Sequence, residues 1–67
     1  MNNFCVGELI YVPSQSMLYN DSKTHKLEEP TNLLIIGKNN SKYEVFYNGL
    51  SWFLDRADAY KIGEKND

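Results

Sequence analysis

Four side chains could carry acid, base or nucleophile chemistry: His25, Cys5, Asp55 and Asp58. His25 is the only histidine and Cys5 the only cysteine. A general base needs a positioned partner and a substrate group within hydrogen-bond reach. His25 lies between Thr24 and Lys26 in a polar stretch, with no Gly-x-Ser-x-Gly or Cys/His pairing, and is expected as a solvated loop histidine. Cys5 stands between Phe4 and Val6 without a neighbouring cation to stabilise a thiolate, so it reads as a small buried hydrophobe. Asp55 and Asp58 are spaced for one helical turn. An N-cap with a solvated acid accounts for them more simply than a catalytic carboxylate pair. One histidine and one cysteine make no zinc set, and no phosphate-binding glycine loop is present. No catalytic residue, metal site or cofactor is therefore assigned, and a non-enzymatic role is expected.

The elements that would hold these residues are mainly strands. The 67 residues suffice for one small domain, which buries a limited share of its surface. No disulfide is available, so packing must stabilise it, and aromatic residues form 13% of the chain. A reducing cytoplasm suits the lone cysteine, and no apolar run reaches membrane-spanning length. The N-terminus lacks the pattern of a signal peptide, which again favours the cytoplasm. A net charge of −2 with dispersed lysines weighs against nucleic acid as the main partner.

Residues 7–12 (GELIYV) read as a first strand stopped by Pro13. Residues 13–31 are polar around one apolar knot, Met17-Leu18-Tyr19. They are expected to form a long excursion that folds back and is pinned by that knot. Residues 32–38 contain Leu33-Leu34-Ile35-Ile36, a run that fits a strand covered on both faces. A turn at 39–41 leads to a strand at 42–47. Asn48-Gly49 then marks a type I′ hairpin into a strand at 50–54. Residues 55–59 suit a 3-10 turn, and 60–62 a short closing strand. Residues 1–62 would be the domain and 63–67 a polar tail.

This order, with Val45-Phe46-Tyr47-Asn48-Gly49-Leu50-Ser51-Trp52-Phe53-Leu54 leading into the final turn, resembles the hairpin of bacterial SH3 domains. Trp52 stands where that family often has glycine. The opening GELIYVPS resembles the first strand of SH3-like barrels, and nearly the whole chain is similar to small SH3-like proteins of large tailed bacteriophages. The resemblance implies an all-β, five-stranded SH3-like small barrel with a long first loop. It also implies a phage accessory protein in the host cytoplasm that binds a host or phage protein. Residues 17–21 are similar to the Ala-Leu-Tyr-Asp-Tyr motif of eukaryotic SH3 domains. The Trp-Trp pair and Pro-x-x-Tyr of the proline-binding groove are absent, so that binding mode is not implied.

Alternation along 43–54 assigns Val45, Trp52 and Leu54 to the core and sets Phe46 and Phe53 on the opposite face. That face is either lidded by Met17-Leu18-Tyr19 or an exposed contact patch. Tyr19, Tyr47 and Tyr60 either line a groove or complete the core with their hydroxyls in water. The candidate partner-binding residues are Tyr19, Phe46, Phe53 and Tyr60. Two alternatives remain: a nucleic-acid-binding barrel using Lys38, Lys42, Arg56 and Lys61 beside Phe46 and Phe53, and a homo-oligomer joined through the Phe46/Phe53 face.

Overall fold

A computed structural model describes residues 3–63. The chain is all-β. Six strands, β1 (Leu9–Val12), β2 (Met17–Asn20), β3 (Lys23–Lys26), β4 (Thr31–Lys38), β5 (Lys42–Tyr47) and β6 (Leu50–Asp55), form one antiparallel sheet in the order β1-β4-β5-β6-β2-β3. A 3-10 turn, Arg56–Asp58, follows β6.

The sheet has to curve. Between β1 and β2 lie four inter-strand steps, about 19 Å across a flat sheet. The chain from Val12 to Met17 reaches about 17 Å when extended. Curvature lets a single sheet bury its own inner face. That face carries Ile10, Val12, Leu18, Leu33, Ile35, Tyr43, Val45, Trp52 and Leu54, and Phe4, Leu27 and Ala59 close it from outside the strands. The radius of gyration, 11.0 Å, matches the roughly 11 Å of a compact chain this long.

Local chemistry fixes the register. Asn48 and Gly49 both have positive φ, 53° and 80°, as a type I′ turn requires. The Asn39 side-chain oxygen accepts from the backbone N–H of Ser41 and of Lys42, which shapes the β4–β5 turn. A bulge between Ile35 and Gly37 inserts Ile36 into β4. It keeps Ile35 opposite Val45 in the core while Lys38 pairs with Tyr43.

Several expectations change. The 13–31 excursion contains the β2–β3 hairpin, so the sheet has six strands rather than five. Strand β3 (KTHK) carries no apolar residue, because it is an edge strand with little to bury. Leu18 pins the hairpin, fully buried opposite Leu54. The expected closing strand reduces to one bridge, Tyr60 with Tyr11, whose backbone groups exchange two hydrogen bonds. The 33–36 run is covered on one face only: Leu33 and Ile35 are buried, Leu34 and Ile36 exposed. Cys5 is exposed rather than buried. Beyond Gly63, the expected polar tail lies outside the described residues.

Candidate protein-interaction surface

Residues paired directly across antiparallel strands share a face. Leu9 of β1 pairs with Leu34 of β4, and Leu34 pairs with Phe46 of β5. All three point away from the core, with 49%, 39% and 50% of their surface exposed. Ile36 stands beside them at the bulge, and Phe53 of β6 lies diagonal to Phe46; both are exposed. An apolar strip therefore crosses the outer face of four adjacent strands.

The strip has chemically different ends. At the β6–β2 end, Phe53 pairs with Glu44 on one side and Tyr19 on the other. Lys42 forms an ion pair with Asp55 and holds its ammonium 5.5 Å over the Tyr19 ring. The hydrogen bond to Asp55 raises the Lys42 ammonium above its ordinary value. At the β1 end Tyr11 pairs with Tyr60 and with Asn32, so uncharged side chains close the strip.

Gly37 accommodates the Glu44 side chain at the bulge. A Cβ added there would lie 2.8 Å from Glu44 Oε1.

Phe46 and Phe53 both lie uncovered, because the Met17-Leu18-Tyr19 knot is committed to β2 and serves as no lid. Tyr19 is half-buried beside Phe53. Tyr60 sits at the opposite end of the strip, so the four candidate residues do not form one cluster. Tyr47 joins no groove with Tyr19 and Tyr60. It is half-buried against the core, and its backbone oxygen accepts from Trp52 Nε1 at 3.0 Å. Leu9, Leu34 and Ile36 were not legible as surface residues. Their signal was the unbroken apolar run at 33–36, which asks for cover on two faces while the chain supplies one.

Three of the four cations considered for nucleic acid are engaged within the fold, and the fourth, Lys61, is exposed. Lys38 Nζ donates to the Phe4 carbonyl, and Lys42 pairs with Asp55. Arg56 donates to the Asn39 carbonyl and stacks over Tyr43, 4.7 Å from the ring centre. Glu44 is the charged side chain that directly faces Phe53.

The acid–base candidates stay separate. His25 belongs to β3 rather than to a loop, half-buried with its ring centre 5.3 Å from Tyr47 and 6.0 Å from Trp52. The Cys5 amide donates to Glu8 Oε1 within its own turn. Asp55 occupies the N-cap position without a side-chain capping bond, its carboxylate being engaged by Lys42. Burial, and secondarily the Asp55 charge, holds the Asp58 carboxyl above its ordinary value. Among the described residues no group of three His, Cys, Asp or Glu side chains could hold a metal ion, and no helix is long and apolar enough to cross a membrane.

Compared with protein-family models, curated proteins and solved structures, the chain matches none of them.

Proposed function

We propose that this chain is a non-enzymatic protein-interaction module that binds through the outer face of its sheet. The observation that carries the reading is the exposed row Leu9–Leu34–Phe46 on three adjacent strands. A contiguous apolar face left in water is costly, and such faces are characteristic of contact sites. A strip on the outer side of a curved sheet suits another protein surface better than a small molecule, which binds in concave sites.

The scaffold reading is an SH3-like small barrel. Its support is the order of elements: a first strand, a hairpin excursion, a three-strand meander, a 3-10 turn and a return to the first strand at Tyr60. The resemblance of GELIYVPS and of the 45–54 hairpin extends this to a phage accessory protein working in the host cytoplasm. Its partner would be a host protein or a phage protein, a second copy of this chain included.

The test is a photo-cross-linking phenylalanine analogue placed at Phe46, with the same analogue at Lys23 as a control. Irradiation in bacteria is expected to give a discrete protein adduct from position 46 and none from position 23. No protein adduct from position 46 would overturn the reading.

A further inference from the structure

We infer that the free edge of β3 takes up an extended, acid-bearing segment of a partner protein as an added strand, with two carboxylates three residues apart set against Lys23 and Lys26. This surface is separate from the outer face and does not depend on it.

Strand β3 ends the sheet order, so one of its edges has no strand beside it. The Leu27 N–H donates to the Ser16 carbonyl, and the Leu27 carbonyl accepts from the Gln15 N–H. Leu27 thus turns both backbone groups towards the β2 side of the hairpin. Successive residues of an antiparallel strand alternate in this respect. His25 and Lys23 therefore also face β2, and Thr24 and Lys26 turn their N–H and C=O groups outward. Among the described residues nothing bonds to these four groups. They stand two residues apart with a donor and an acceptor each, which is the spacing an incoming antiparallel strand needs. The other edge of the sheet differs, since Tyr60 already takes the outward groups of Tyr11. β3 has neither a proline nor a bulge to turn its edge away.

Charge names the occupant. Lys23 and Lys26 are exposed, and neither pairs with a carboxylate among the described residues. Lysines on an edge repel strands of like charge, and the same charge admits a strand of the opposite sign. The two lie on opposite faces of β3, three positions apart. A strand laid alongside sets one residue directly opposite each, on that lysine's own face. Acids at those two places each meet one ammonium. Of the two residues between them, one falls opposite His25, whose ring lies 5.3 Å from that of Tyr47, and suits an aromatic. The other falls opposite Thr24 and suits a β-branched residue. Asp21 precedes the strand, and Glu28 and Glu29 follow Leu27. They disfavour acids beyond the two, so the lysines select a register rather than a general acidic run.

The experiment is a nitrogen-15 NMR titration of the full chain, to millimolar peptide, with the capped peptide Thr-Glu-Tyr-Thr-Glu-Thr and its counterpart Thr-Lys-Tyr-Thr-Lys-Thr. The glutamate peptide is expected to shift the Thr24 and Lys26 amides and to slow their hydrogen exchange about tenfold at saturation, with the His25 amide, already bonded to β2, changed far less. The lysine peptide should not bind. Lys26→Glu, checked for native Trp52 fluorescence, should weaken the glutamate peptide about fivefold or more. No response at Thr24 and Lys26 would overturn the proposal, and equal binding of the two peptides would overturn the acidic occupant. Shifts at Leu34 and Phe46 without any at Thr24 and Lys26 would move the peptide to the outer face and overturn the edge site. The cross-linking analogue at position 23 replaces one of the two lysines and removes half of this recognition, so its silence bears on the outer face alone.

Discussion

Leu18 of β2 lies directly opposite Leu54 of β6, and both are fully buried. This pair joins the polar 13–31 hairpin to the rest of the sheet. Leu18→Ala removes the buried side chain that β2 contributes at that pairing, in a core with no second layer to collapse inward. It should cost about 2–5 kcal/mol in urea unfolding. Amide hydrogen exchange in β2 and β3 should accelerate more than in β4 and β5. Uniform acceleration across all strands would show that the hairpin is not a separable unit.

Tyr43 is buried, and its hydroxyl oxygen accepts the Phe4 backbone N–H at 2.9 Å. Tyr43→Phe keeps the ring but leaves that amide without its acceptor. A loss of about 1–3 kcal/mol is expected, measured by chemical denaturation. A neutral effect would mean that water reaches the Phe4 amide.

Asp58 gives a pH signature. Its raised pKa means that the folded state holds the proton more tightly than the unfolded state does. The ionised carboxyl therefore lowers stability above the raised value, and this cost disappears below the ordinary value of 3.8. Asp58→Asn should stabilise the fold at neutral pH, with the gain vanishing in acid. Thermal melts of both proteins across that range would show the convergence.

Two glycines should respond differently to alanine. Gly49 has φ 80° in open space, so Gly49→Ala meets only backbone strain, about 1–2 kcal/mol. Gly37 has no such φ, and its added methyl meets the end of a flexible glutamate. Gly37→Ala should cost less than Gly49→Ala, because Glu44 swings aside. Equal losses in parallel unfolding curves would show that Glu44 is held rigidly.

Cys5 should react with a thiol reagent in the native protein without prior unfolding, because it is exposed. Protection until denaturant is added would contradict that placement.

The 43–54 hairpin was the most legible part of the sequence. Asn48-Gly49 permits essentially one turn, and alternation on either side then fixes which residues enter the core. Val45, Trp52 and Leu54 are buried as that pattern requires. Strand β3 was not legible because Lys23, Thr24, His25 and Lys26 contain no apolar period; backbone pairing with β2 alone makes it a strand. The outer strip was half legible. Phe46 and Phe53 follow from alternation, whereas Leu34 and Ile36 sit in a run whose composition is the same whether a second layer comes from this chain or from elsewhere. The closing strand expected at 60–62 reduces to one reciprocal pair of hydrogen bonds between Tyr60 and Tyr11, a pairing that the sequence did not specify.

That single Tyr11–Tyr60 bridge has a mechanical meaning. The chain enters the sheet at β1 and returns to it at Tyr60, so tension applied to the two ends reaches these two hydrogen bonds early. A lone bridge is a weak clamp compared with a long ladder loaded in shear. Pulled from its termini, the molecule should first peel the 3-10 turn and its C-terminal flank away from β1, leaving the six-stranded sheet β1-β4-β5-β6-β2-β3 to resist afterwards.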